Sequence, residues 1–313
     1  MHAAQVQAWG EAPKWVEVPD LPPPTPSQIR LKVLATGIHR VVRAVANGAT
    51  YGNSRPLPII PGIDGVGVEE ATGKHYYFTA WQSGSVAKHV NVERSAAIEL
   101  PSGADVATIA ALVNPAISSW MALTRRAGAG TPALPAGFSV LVVGATSISG
   151  RLAAPVARHF GAGRIIGAAK NKAALDGVEG LDERIVLDDA DATTFAPLGH
   201  VDVVLDYAGG PYPAMVITAL KPQREVIYIQ IGIVSGDDDF HVPAILLRTR
   251  QVSIRGSGPG AWDAADLAKE TEPLLHALRG VRANDTFHVA KMSDIEKLWN
   301  DKSLGYKRLV FTP

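Results

Sequence analysis

The chain has 313 residues, 30 Lys and Arg against 30 Asp and Glu, and no cysteine. That length exceeds what one core usually carries and points to two domains of a soluble globular protein. Zero net charge without a basic block argues against nucleic acid and anionic membranes and favours a small neutral ligand, while the missing cysteines exclude disulfides, thiolate catalysis and Cys-ligated zinc.

In chain order, "MHAAQVQAWGEAPKW" lacks a basic segment followed by an apolar run, and no apolar stretch approaches the ~20 residues that span a bilayer, so the cytosol is the expected compartment. The first third reads as short strands, "QIRLKVLAT", "VGVEEA", "HYYFTAW" and "VAKHVNV", cut by "LPPPTP" and "SRPLPIIPG". This is β-rich and barrel-like. The stretch "ADVATIAALVNPAISSWMALTRRAG" is helical, and Pro115 inside it predicts a kink or break at a domain junction. Strands follow at 138–144, 164–169, 184–188, 201–206, 225–231 and 251–256, with helical segments after several of them. Apolar runs such as "VDVVLDYAGG" and "REVIYIQIGI" predict a parallel sheet covered on both faces. The last segment holds a helix interrupted by Pro273 and a closing strand that rejoins the first domain.

The most informative stretch is "VLVVGATSISGRLAAPVARHFGAGRIIGAAKN". A dinucleotide fold needs a tight strand-to-helix turn whose amides face a pyrophosphate at the positive helix end. The GxGxxG positions are Ala145, Thr146, Ser147, Ile148, Ser149 and Gly150, and only the third glycine is kept. Ser147 falls where the backbone comes nearest to the ligand, so its side chain either pushes the pyrophosphate outward or bonds to it. Pro155 costs the following helix one hydrogen bond. About 20 residues past the turn, an NAD site places an acid on the ribose 2′-hydroxyl. Here stand Lys170, Asn171 and Lys172, and no acid appears before Asp176. Either this is a solvated loop end, or Lys170 or Lys172 meets a 2′-phosphate and selects NADP.

Over 130 residues precede this turn. That order, with "LKVLATGIHRVVRAVANG", "PIIPGIDGVGVEE", "GSVAKHVNV", "NPAISSWMAL", "IQIG" and "IRGSGPG", resembles the medium-chain dehydrogenase/reductase superfamily, in particular its zinc-free quinone oxidoreductase-like branch. The resemblance implies an α/β protein with a GroES-like β-rich catalytic domain (1–112 and 259–313) and a Rossmann doubly wound parallel sheet domain (113–258) that binds NADP(H). Zinc members carry ligands at the positions of His39, Ile63 and Asn114. Ile63 cannot bind a metal and one imidazole makes no site, so catalytic zinc is not expected.

The implied chemistry is hydride transfer to a quinone or an α,β-unsaturated carbonyl, with hydrogen-bond donors replacing the metal. His39 matches a position beside the nicotinamide and is either a donor or a histidine satisfied in the pocket wall. Tyr51 lies on the loop that resembles the substrate-cleft loop and is either a donor to the acceptor oxygen or plain packing. Asp64 matches an acidic position that is more often structural. The run Asp237 to Asp239 reads as a solvated loop. The resemblance carries cofactor contact to Asn114, Ser118, Tyr207, Gly209, Ile231 and Gly232, and "RQVSIRGSG" resembles the strand through which family dimers join, which implies a homodimer. Two other functions stay open: carbonyl or imine reduction in a biosynthetic pathway, and non-catalytic NADPH binding.

Overall fold

Alternation sets the first unit. In β3 (Gln28–Gly37) the residues Ile29, Leu31 and Val33 point inward while Arg30 and Lys32 face out, the two-residue period of a half-buried strand. The computed structural model describes residues 1–49, 56–131, 133–188, 194–237, 239–279, 281, 286–305 and 307–313. They form two compact units, Met1–Asn114 with Thr271–Pro313, and Pro115–Glu270.

In the first unit β1 (His2–Gln5) pairs antiparallel with β2 (Lys14–Glu17). Strand β3 anchors a larger sheet with β4 (Asp64–Val68), β5 (His75–Thr79), β6 (His89–Glu93) and β7 (Ala97–Glu99), and α1 (Arg40–Ala46) follows it. The chain end adds β14 (Phe287–Lys291) and β15 (Arg308–Thr312), giving the order β14-β15-β3-β4-β5-β7, with β6 on the other side of β3. The closing strand therefore does rejoin the N-terminal β-rich region, through its antiparallel pairing with β3. Leu31, Val33, Phe78, Trp299 and Phe311 share the core beneath this sheet.

The second unit is built around a six-stranded parallel sheet of order β10-β9-β8-β11-β12-β13. Its strands are β8 (Ser139–Val143), β9 (Arg164–Ala169), β10 (Glu183–Val186), β11 (Val203–Asp206), β12 (Val226–Gln230) and β13 (Val252–Gly256). Helices α3 (Ile148–His159), α4 (Lys172–Asp176), α5 (Tyr212–Ala219) and α6 (Ala244–Thr249) lie between successive strands. Every residue of β8 is buried, as a strand covered on both faces requires.

Two readings of the sequence are corrected, both at prolines. The two units do meet at Pro115, but helix α2 (Val106–Met121) runs through it without a break, and its end widens into a π-helical run, Ala122–Ala127. Helix α7 (Ala264–Leu278) likewise continues through Pro273. Packing on other segments holds these helices together where local propensity opposes them. The second compact unit extends as far as Glu270. The reason is a clamp: Glu270 accepts from the Trp120 indole at 2.6 Å and pairs with Arg125 at 3.0 Å, and Asp266 pairs with Arg125 at 3.3 Å. Helix α2 and its π-helical extension form the one described segment apolar enough to cross a bilayer by composition, and 78% of its most apolar window is buried inside the protein.

Gly37 ends β3 against α2, where an added Cβ would lie 2.3 Å from the Ala110 carbonyl oxygen. Gly37→Ala should therefore lower unfolding free energy by about 1–3 kcal/mol. Urea titration checks this, and an unchanged midpoint would mean that α2 gives way freely.

Candidate functional site

The parallel sheet reverses its winding at β8, with β9 and β10 on one side and β11 to β13 on the other. Ligands of such sheets sit beyond the carboxyl ends of the strands at that reversal. There β8 passes into a turn through Gly144, whose φ of +85° favours glycine. At Gly150 an added Cβ would stand 2.3 Å from the Gly144 carbonyl oxygen, so only glycine lets α3 descend onto the turn.

Ser147 caps α3. Its hydroxyl donates to the Gly144 carbonyl at 2.9 Å and accepts from the Gly150 N–H at 3.0 Å. The serine thus closes the turn on itself, and its one proton is engaged inside the protein. The Ala145 N–H goes to the Ala168 carbonyl at 3.0 Å, and the Ser147 N–H to Gly144 at 3.1 Å. Among the described residues of this turn, the N–H groups of Thr146, Ile148 and Ser149 have no partner in the protein. These three are the N–H groups of the turn left to meet an anion. Unpaired N–H groups at a helix start fit a pyrophosphate.

Lys170 stands exposed just beyond β9. Asn171 caps α4, its Oδ1 accepting from the Ala174 N–H at 2.9 Å. Lys172 pairs with Asp176 at 2.6 Å, so the first acid after the turn serves a lysine. Ser118, on α2, donates to the Pro115 carbonyl at 2.6 Å and lies 3.2 Å from the Tyr207 hydroxyl. The structure so brings two of the expected residues together. Burial pushes the Tyr207 phenol up to about 12. Asn114 is half-buried on the same helix.

Sequence reasoning passed over Asp206. This fully buried carboxylate accepts from the N–H groups of Ala208 at 2.8 Å and Gly209 at 3.0 Å, and from the Tyr228 hydroxyl at 2.7 Å. Its backbone carbonyl accepts from Ile231 at 2.8 Å and Gly232 at 3.1 Å. One residue therefore shapes both turns at the ends of β11 and β12, with Gly209 and Gly210 at φ +66° and +61°. Burial raises its pKa. The available signal was a lone acid closing an apolar strand before two glycines. Asp237 and Asp239 are exposed, and Asp238 lies outside the described residues.

In the first unit His39 is 1% exposed. Its Nε2 lies 2.9 Å from Asp64 Oδ1, and its Nδ1 accepts from Arg308 at 2.7 Å. Arginine only donates, so the imidazole is the neutral tautomer with its proton directed at Asp64. Tyr77 donates to the other Asp64 oxygen at 2.9 Å. The reading of His39 as a donor to the acceptor is corrected, because both ring nitrogens are committed. Asp64 is the hub of this network, the structural role that its sequence position suggested. Ile63 beside it is buried and apolar. Burial lowers the His39 pKa, with Arg308 adding to the effect against Asp64, and burial also lowers Arg308 to about 10. Tyr51 lies outside the described residues.

No protein-family model matches the chain. It is 36% identical to a protein of Emericella nidulans named probable NADPH-dependent quinone reductase tdiC, in an alignment that covers all of both chains. It is 29% identical to human quinone oxidoreductase over 60% of this chain and 56% of the human one. The fold matches that of Thermus thermophilus quinone oxidoreductase, solved also with NADPH, at a TM-score of 0.78 and 23% identity over the full length of both chains.

The lowered His39 pKa sets a pH dependence. The folded chain resists protonating His39, while the unfolded chain protonates it near the ordinary value of about 6.5. Stability is then complete above that pH and declines as pH falls below it toward the folded-state value. Urea unfolding at pH 7.5 and 5.5 should show a smaller loss for His39→Gln than for the parent chain. Equal losses would remove His39 from the acid sensitivity.

Proposed function

Because the chain belongs to the medium-chain dehydrogenase/reductase superfamily, among its quinone oxidoreductase-like members, we propose that it is a zinc-independent, NADPH-dependent oxidoreductase that reduces a quinone or an α,β-unsaturated carbonyl. The observation that carries this is the pairing of a pyrophosphate turn after β8 with a lysine, not an acid, beyond β9. NADPH supplies the hydride when bound. Thr146, Ile148 and Ser149 offer N–H groups to its pyrophosphate, and Lys170 offers a cation to its 2′-phosphate. Ser118, Tyr207 and the turns shaped by Asp206 line the strand ends where the nicotinamide half belongs in this fold.

Hydride addition to an enone or quinone builds negative charge on oxygen, and a positioned donor lowers that barrier. With both His39 nitrogens engaged, the donor role passes to Tyr51. The zinc positions support a metal-free reading: the Ile63 side chain has no lone pair, His39 already accepts from Arg308, and the Asn114 amide alone makes no site. Support for a homodimer comes from the two sheet edges. Strand β10 carries exposed Glu183 and Arg184, charges that discourage pairing, whereas half-buried Val252, Ser253 and Ile254 of β13 suit a second copy. The reading is of a soluble, cytosolic enzyme.

Lys170→Ala should weaken NADPH binding by about 10- to 150-fold and spare NADH, the span of one charge-assisted hydrogen bond. Calorimetry with each cofactor checks this, and equal losses would refute the assignment. Tyr51→Phe should lower turnover of the best quinone or enone by about 10-fold or more with NADPH affinity kept. Turnover should also survive exhaustive chelation, while about one zinc per chain with chelator-sensitive activity would overturn the metal-free reading.

A further inference from the structure

Helix α4 has five residues, too few to be stable by itself, and its last carbonyls have no partner within the helix. Two guanidinium groups, from different elements, satisfy carbonyls there. Arg184, from β10, donates to the carbonyls of Leu175 at 3.2 Å, Val178 at 2.9 Å and Leu181 at 3.4 Å. Arg151, from the first turn of α3, donates to Ala174 at 3.1 Å and Gly177 at 3.2 Å. Its Nε also donates to the Thr146 carbonyl at 3.2 Å, inside the pyrophosphate turn. Arg151 thus bonds both the turn and the helix that follows Lys170, whereas Arg184 bonds only the helix end and the loop after it.

We propose that Arg151 is a positioning residue for cofactor selection, holding the Lys170 segment at a fixed distance from the pyrophosphate turn so that one ligand meets both. The inference rests on the reading of NADPH as cofactor. Its physical basis is reach. A 2′-phosphate and a pyrophosphate are joined through one ribose, so their protein partners must keep a fixed separation, and a lysine just ahead of a five-residue helix cannot keep it alone. The planar fork of arginine can bridge three carbonyls with defined geometry. A lysine ammonium keeps the charge and loses the bridge.

The test compares Arg151→Gln, Arg151→Lys and Arg184→Gln with the parent chain. Calorimetry measures NADPH, NADH and 2′,5′-ADP, a probe that carries the 2′-phosphate without the nicotinamide half, and thermal unfolding of the free proteins is followed in parallel. Arg151→Gln should weaken NADPH and 2′,5′-ADP by about 10-fold or more and NADH by less than about 3-fold. Arg151→Lys should fail to restore them. Arg184→Gln should lower the unfolding temperature while leaving the NADPH to NADH ratio unchanged. Recovery of the parent ratio in Arg151→Lys would overturn the proposal, since charge and not bridging would then act. Equal losses for NADPH and NADH in Arg151→Gln would also overturn it and leave a purely structural arginine. A parent chain that binds NADH as tightly as NADPH would sink the cofactor reading itself, and the proposal with it.

Discussion

The site of the second unit depends on one close approach. At Gly150 there is room for a hydrogen atom and no more, because the Gly144 carbonyl oxygen lies where a Cβ would be. This contact brings the start of α3 down onto the end of β8, and the geometry around it follows. Ser147 can then span the gap between the Gly144 carbonyl and the Gly150 N–H. Arg151, one residue further along α3, is delivered to the side of the turn from which its guanidinium reaches α4. A side chain at position 150 would tilt the helix away and separate the turn from the segment that follows β9.

The first unit rests on a different constraint, a buried charge that must be balanced. Arg308 and Asp64 are joined through the neutral ring of His39, which donates to the carboxylate and accepts from the guanidinium. Tyr77 occupies the second carboxylate oxygen. A buried ion pair is costly unless its remaining hydrogen-bonding capacity is met, and the imidazole and phenol supply much of that need. The pair also ties β15, from the chain end, to the strand and helix that surround His39. The residue that most resembled a catalytic donor is therefore a component of the scaffold.

Much of the fold was legible because the central parallel strands β8, β11 and β12 are largely apolar and their positions stand out. The six strands of the Rossmann half were read to within a few residues, and so was the long strand "QIRLKVLAT". The short strands β1, β2, β7 and β14 were missed, since three to five residues with mixed burial carry little pattern. The prolines misled for a physical reason. Pro115 and Pro273 sit in helices whose packing on other segments outweighs one missing hydrogen bond, which no local rule reveals. In the site, residue types gave Ser147 and Lys170 but not their partners. That Ser147 would cap its own helix, and that His39 would have both nitrogens occupied, depends on atoms supplied from elsewhere in the turn or the chain. Asp206 and Arg151 escaped for the same reason, because their roles are defined by the backbone groups that they meet.

The self-closed turn bears on how the recognition of a dinucleotide is divided. An N–H that already bonds to Ser147 contributes little to an anion, so three amides remain where the motif could offer more. Neutral amides at the turn also meet NADH and NADPH alike, and cannot distinguish them. A weaker shared contact leaves a larger share of the binding energy to the cationic segment beyond β9, where the two cofactors differ by a phosphate. Discrimination then depends on how firmly that segment is held relative to the turn, because a mobile lysine gives up in ordering entropy what it gains in attraction. On the proposed reading Arg151, bonded to the Thr146 carbonyl in the turn and to the carbonyls at the end of the short α4, ties the backbone that follows Lys170 to the turn. On that reading, selectivity is a property of the spacing between two loops as much as of the lysine itself.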